Sequence, residues 1–134
     1  AIYGSKGCDI PTTDVADSLV DQTWIGFGDP ISTIGPARWM ASRVAPGRIF
    51  YKLNTVLGLS QAIEAGLGIG FVPCFIGDRI PGLVRLLATP MTFDASLWLL
   101  THPDLRHAAR VRAFVEFVGR ELARHKPLIE GRGA

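Results

Sequence analysis

Cysteine is scarce in this sequence, and long apolar runs are missing from it. The two cysteines, Cys8 and Cys74, lie far apart, which argues against a disulfide scaffold or a zinc site with paired ligands and favours a reducing compartment. No stretch of about 18 apolar residues is present. The first residues lack the layout of a signal peptide. We therefore expect a cytoplasmic protein that does not enter a membrane.

Neither positive nor negative charge is in large excess in the sequence. The 14 Lys and Arg residues and 12 Asp and Glu residues leave a formal net charge of +2, and no segment gathers enough basic residues for a nucleic-acid footprint. Hydrophobic residues make up 48% and charged residues 19% of the sequence, a balance typical of a globular protein. A length of 134 residues suits one domain with a real core.

The patterns of common catalytic and metal sites are missing as well. His102 and His107 are five positions apart, which does not align them on one helical face, and no second ligand pair accompanies them. No serine stands in a nucleophile-elbow context, and neither cysteine has a basic neighbour in sequence. We expect no metal, no cofactor and no enzymatic activity.

The GLGIG segment at residues 66–70 invites comparison with a nucleotide-binding loop. A dinucleotide-binding fingerprint would need a third glycine at position 71, where Phe71 stands. The segment also follows a predicted helix and opens a predicted strand, which is the reverse of the order around a phosphate loop. It therefore indicates a helix C-cap and a tight turn.

Strand and helix patterns alternate along the chain. Short apolar or alternating runs predict strands over residues 2–3, 24–27, 48–53, 69–72, 83–87 and 96–101. Helical periodicity and capping residues predict helices over residues 14–21, 35–44, 56–65 and 108–124. This alternation indicates an α/β domain with a mainly parallel sheet.

One strand-to-helix junction carries the residue types of a binding site. Asn54 and Thr55 follow the strand at 48–53 and precede the helix at 56–65. Ligands of open α/β sheets lie at the carboxyl ends of strands, where helix N-termini offer free backbone N–H groups to anions. Either residue could equally serve only as the N-cap of its own helix. Ligand binding and capping both stay open on this local evidence.

Four segments, in matching order and spacing, resemble the effector-binding domain of LysR-type transcriptional regulators. They are GLSQAIEAGLGIGFVP at residues 58–73, similar to the family's helix, "aGlGia" turn and closing proline; GLVRLL at 82–87, similar to "GrLvrvL"; LWLLTHP at 97–103, similar to "lwlvyp"; and RVRAFVEF at 110–117, similar to "rvraFidf". The resemblance covers Ile2 to about Leu122. It departs at Ala108 and Ala109, where the family usually has a Ser-Pro pair, so a weak cap is expected for the last helix.

The resemblance implies a fold and a division of the chain. The fold would be α/β, a Rossmann-like subdomain of a periplasmic-binding-protein-like (type 2) effector domain, truncated because the first half of that domain is missing. Residues 1–92 would form the second regulatory subdomain. Residues 93–125 would be the returning strand and helix of the first subdomain, and residues 126–134 a tail.

The resemblance also implies a function and its partners. A small-molecule effector, which could be an anion, would bind in the cleft between the subdomains and contact Phe27, Gly28, Asn54, Thr55, Pro73, Thr101 and His102. The chain would self-associate as a dimer or tetramer, and would reach DNA only through an N-terminal winged helix-turn-helix that this sequence lacks. A solute-binding protein of a transport system shares the fold and is the alternative, which the RAFVEF segment at residues 112–117 disfavours.

Overall fold

The computed structural model describes residues 1–29, 32–87, 93 and 97–132. The chain divides into two compact units, Ala1–Phe93 and Asp94–Ala134, and its secondary structure is mixed α/β. Within the described residues, no helix combines the length and the hydrophobicity that crossing a lipid bilayer requires.

The described part of the first unit contains five short strands. They are β1 (Ile2–Ser5), β2 (Trp24–Phe27), β3 (Ile49–Leu53), β4 (Gly70–Phe71) and β5 (Leu83–Arg85). Strand β1 lies between β4 and β5 and is antiparallel to both, whereas β2 and β3 pair in parallel. A parallel bridge between Trp24 and Ile69 brings the start of β4 beside β2. Strands β2, β3, β4 and β5 therefore run in one direction, and β1 runs against them.

The mainly parallel sheet expected from the sequence is wrong for the strands around β1. Among the described residues, β4, β1 and β5 form a three-stranded antiparallel sheet, and β2 and β3 form a two-stranded parallel sheet. Strands β4 and β5 are shorter than the strands predicted over residues 69–72 and 83–87. Ile69 and Leu87 still form isolated parallel bridges, with Trp24 and Thr13 respectively. The direction of β1 follows from pairing with residues about 70 to 80 positions away, which no local pattern reports.

Three α-helices accompany these strands in the described residues of the first unit: α1 (Gly35–Arg43), α2 (Val56–Glu64) and α3 (Cys74–Gly77). Helices α1 and α2 agree with the helices predicted over residues 35–44 and 56–65. Pro36 lies in the first turn of α1, and Gly66, with a φ of +77°, follows the end of α2 as the predicted C-terminal glycine. The one-turn helix α3 has no counterpart in the sequence prediction.

The helix predicted over residues 14–21 is wrong. Only a 3-10 turn, Ala16–Leu19, forms there, and the residue before it, Val15, makes no side-chain capping hydrogen bond. Leu19 is its buried residue. One buried side chain does not provide the apolar face that stabilises a longer helix, and an uncapped short helix is marginal in water.

The core of the first unit lies where α1 and α2 pack on the sheet. Trp24, Leu59 and Ile63 have no solvent-exposed surface. The ring of Phe71 lies 5.7 Å from that of Trp24 and meets Phe93 edge-on at 5.3 Å. Burying each such side chain contributes about 1.5–3 kcal/mol, and this packing fixes the positions of β2 and β4.

The second unit contains α4 (Ala109–Arg124) and the single turn α5 (Lys126–Ile129) among its described residues. Helix α4 agrees with the helix predicted over residues 108–124. Its N-cap residue, Ala108, makes no side-chain capping hydrogen bond, which is the weak cap expected from the departure at this position. Helix α5 lies in the segment predicted to be a tail.

The returning strand expected at residues 96–101 is not formed over residues 97–101, and Ser96 lies outside the described residues. Leu97, Trp98 and Leu100 are 65%, 76% and 81% exposed. A strand is stable only when a neighbour satisfies its backbone N–H and C=O groups. No strand pairs with this segment among the described residues, so its apolar run remains in contact with solvent.

Candidate ligand-binding site

The carboxyl ends of β2, β3 and β4 lie at one edge of the sheet, because these strands run in the same direction. Phe27 ends β2 and pairs with Leu53, which ends β3. Pro73 comes two residues after β4. Five of the seven predicted ligand contacts therefore end or follow strands at this edge, and we refer to them as the edge residues: Phe27, Gly28, Asn54, Thr55 and Pro73.

Gly28 and Asn54 are in direct contact. The backbone N–H of Gly28 donates to the carbonyl oxygen of Leu53 at 3.0 Å. A Cβ at position 28 would lie 1.7 Å from Oδ1 of Asn54, so the Asn54 amide lies over the backbone of Gly28. Asn54 is exposed, and its side chain has no hydrogen-bond partner in the described part of the chain. Its amide is therefore available both to donate to and to accept from a ligand.

Thr55 is the N-cap of α2. Its backbone is extended, with φ −127° and ψ 142°, and its hydroxyl oxygen accepts a hydrogen bond from the N–H of Gly58 at 3.1 Å. A Cβ at position 58 would lie 2.9 Å from that hydroxyl oxygen, so the glycine leaves room for the cap. The hydroxyl can still donate its proton elsewhere, so capping and ligand binding are compatible at Thr55.

Pro73 begins the turn that forms α3. Its carbonyl oxygen accepts hydrogen bonds from the N–H groups of Ile76 and Gly77 at 3.0 and 2.9 Å. Phe75, within that turn, is 43% exposed. No sequence signal points to Phe75, because an isolated apolar residue after a proline is not a functional motif. Its exposure, two residues after Pro73, makes it a further candidate contact.

A hydrogen-bond network holds the far end of α3. The hydroxyl of Tyr3 donates to Oδ1 of Asp78 at 2.7 Å, and Nε of Arg85 donates to the same oxygen at 2.7 Å. A second guanidinium nitrogen of Arg85 pairs with Oδ2 of Asp78. No sequence motif predicts this network, because its three residues come from separate segments.

The network shifts the pKa of each member. Burial raises the pKa of Tyr3, and the hydrogen bond to Asp78 raises it further. Burial would raise the pKa of Asp78, but the hydrogen bonds from Arg85 and Tyr3 outweigh it and lower that pKa. The hydrogen bond to Asp78 raises the pKa of Arg85. The ionised Asp78–Arg85 pair with a neutral Tyr3 is therefore the state of the network at neutral pH.

The remaining predicted contacts, Thr101 and His102, belong to the second unit, and both are exposed. Nδ1 of His102 accepts a hydrogen bond from the N–H of Asp104 at 3.3 Å, so the imidazole caps the 3-10 turn that follows it. Thr101 lines a shallow cleft of about 230 Å³ with side chains that include Arg106 and Arg112. A role for Thr101 and His102 in ligand binding stays a prediction.

The chemistry available at the edge residues is that of recognition. Asn54 and Thr55 supply an exposed amide and an exposed hydroxyl, and the half-buried Pro73 supplies an apolar ring, whereas Phe27 and Gly28 are buried. Among the residues that the structure describes, no three His, Cys, Asp or Glu side chains are grouped as metal ligands would be. These groups can orient a small molecule by hydrogen bonds and apolar contact.

Comparison with known proteins agrees with the resemblance of the four segments. The family model described as the LysR substrate binding domain matches residues 12–123. No curated protein and no solved structure matches the chain. All seven predicted contact residues lie inside the matched span. The match covers most of the 134 residues, and the chain therefore belongs to the LysR substrate-binding domain family, which has a periplasmic-binding-protein-like α/β fold.

Proposed function

We propose that this chain is the effector-binding region of a LysR-type DNA-binding transcriptional regulator that senses a small molecule without transforming it. Family membership supports a regulatory ligand-binding role. The observation that carries the proposal is the contact between Gly28 and Asn54 at the carboxyl ends of two parallel strands. This is the position at which open α/β sheets bind ligands, and the Asn54 amide there has no partner within the described residues.

The effector would bind between two Rossmann-like regulatory subdomains. Residues 1–92 would form the second subdomain, and residues 93–125 would complete the first together with chain outside these 134 residues. The edge residues would contact the effector from the second subdomain, and Thr101 and His102 from the other side. The N-terminus of α2 follows Thr55 and carries the positive end of a helix dipole, which supports an anionic effector.

Effector binding would act by shifting an equilibrium between two arrangements of the subdomains. A ligand shifts such an equilibrium only through different affinities for the two states. The change would pass through contacts between copies of the protein to winged helix-turn-helix domains outside this chain, acting in the cytoplasm. The exposure of Phe114 and Phe117 on α4, 60% and 58%, supports a self-association surface on this helix.

The proposal is tested by ligand binding to the intact regulator, obtained from the coding sequence upstream of this chain. Small carboxylates and their neutral amides are screened by thermal shift, and binding is then measured by calorimetry. We expect a carboxylate to bind, Asn54→Ala to abolish its binding, and Gln61→Ala, which removes an exposed amide on α2, to leave it unchanged. Equal binding by both variants would refute the site. An upstream sequence that encodes a secretion signal instead of a winged helix would refute the regulator.

A further inference from the structure

Helix α3 gains little stability from its own backbone hydrogen bonds and capping. It contains four residues, and its N-cap, Pro73, makes no side-chain capping hydrogen bond. A single helical turn is unstable in isolation, because the entropy of ordering its backbone exceeds the gain from its few hydrogen bonds. The position of α3, and of Pro73 at its start, must therefore depend on contacts with the rest of the unit.

Ile76 packs against the core, and the charged contacts are made at the opposite end of the helix, where Asp78 is the C-cap. Its carboxylate receives the Tyr3 hydroxyl from β1 and the Arg85 guanidinium from β5. Tyr3 and Arg85 are directly paired in the sheet register, so the two donors have a fixed spacing. A charge-assisted hydrogen bond of this kind is stronger than one between neutral groups.

The ring of Tyr3 adds a second contact. Tyr3 is 1% exposed, and a Cβ at position 77 would lie 2.4 Å from its Cζ. The aromatic ring therefore lies against the backbone of Gly77, in the last turn before Asp78. Phenylalanine would fill the same space, but only tyrosine also supplies the hydroxyl that Asp78 accepts.

We propose that Tyr3 is a positioning residue of the effector site: through Asp78 and Arg85 it holds α3, and thereby keeps Pro73 and Phe75 at the edge where Asn54 lies. This rests on the proposed function, since it assigns a supporting role at the effector site to a buried residue. Tyr3 restrains the turn, and the turn would contact the effector.

The test uses Tyr3→Phe in the 134-residue chain, with Tyr51→Phe as the matched control. Tyr51 is the other tyrosine of the sequence, is 58% exposed, and has no hydroxyl partner within the described residues. Amide hydrogen exchange is followed by NMR. We expect Ile76, Gly77 and Asp78 to exchange about 10-fold faster in Tyr3→Phe, as loss of a hydrogen bond to a charged group implies.

Amides in the first turn of α2, such as those of Gly58 and Leu59, open without disturbing Asp78 and should keep their rates. Tyr51→Phe should change neither set. Unchanged exchange in α3 would overturn the proposal. An equal acceleration in both helices would also overturn it, because the hydroxyl would then contribute to overall stability and not to the position of α3.

A functional measurement separates this inference from the proposed function. In the intact regulator, well below the melting temperature, we expect the dissociation constant of the carboxylate found by the screen to rise several-fold in Tyr3→Phe and not in Tyr51→Phe. Equal affinities would reject Tyr3 as a positioning residue while leaving the effector site intact. If no compound binds the wild-type regulator, the proposed function fails, and the exchange experiment still decides whether Tyr3 holds α3.

Discussion

Asn54 and Thr55 are adjacent, yet the structure predicts that removing their side chains lowers the stability of the fold by different amounts. The Thr55 hydroxyl accepts a hydrogen bond from the Gly58 N–H at 3.1 Å and caps α2. Replacing a threonine N-cap with alanine costs about 1 kcal/mol, which corresponds to about 4 °C in Tm for a chain of this length. Asn54 is exposed and has no side-chain partner in the described residues. Asn54→Ala should therefore change stability by less than about 0.5 kcal/mol.

The assay combines urea unfolding of each variant, followed by tryptophan fluorescence, with effector titration of the same variant in the intact regulator. Thr55→Ser is the matched control, because serine retains the capping hydroxyl and should retain nearly full stability. We expect Asn54→Ala to lose effector binding at unchanged stability. We expect Thr55→Ala to lose both stability and affinity, and Thr55→Ser to preserve both.

Two results would refute this reasoning at different points. If Thr55→Ala and Thr55→Ser unfold at the same urea concentration as the wild type, the hydrogen bond from Gly58 to the Thr55 hydroxyl does not stabilise the fold. If both alanine variants bind the effector with wild-type affinity, the edge residues do not form the site, whatever happens to stability.

Three further predictions follow from charge and exposure. The lowered pKa of Asp78 contributes stability that is present above the unfolded value of 3.8 and is lost as the pH falls through the folded value. Urea unfolding at a series of pH values should therefore show a steeper loss of stability in acid for the wild type than for Asp78→Asn, and parallel curves would contradict this. The isolated chain, with a net charge of +2, should give no sequence-selective gel shift that persists at moderate salt; a salt-resistant shift would disprove it. Phe114, 60% exposed, should support self-association, so Phe114→Glu should lower the mass seen by light scattering while Ala113→Glu should not; a strictly monomeric wild type would refute this surface.

Local signals explain which elements are predicted correctly. Helix α2 has a capping threonine before it and a glycine with positive φ after it, and α4 has a long amphipathic pattern. Both are recognised from neighbouring residues alone. The segments at residues 14–21 and 97–101 fail for the opposite reason. A short helix needs a buried face and a strand needs a paired neighbour, and the sequence of the segment itself does not report whether either is provided.

The sequence by itself determined the family, the order of strands and helices, and the place of Asn54 and Thr55 at a strand-to-helix junction. Only the tertiary structure decided that β1 runs antiparallel and that the Asn54 amide lies over Gly28. It also revealed that Asp78 receives hydrogen bonds from Tyr3 and Arg85. The physical reason is range: periodicity and capping act between residues a few positions apart, whereas Gly28 and Asn54 are 26 positions apart and Tyr3 lies 75 positions from Asp78. Their geometry is set only when the strands pair and the core is buried as a whole.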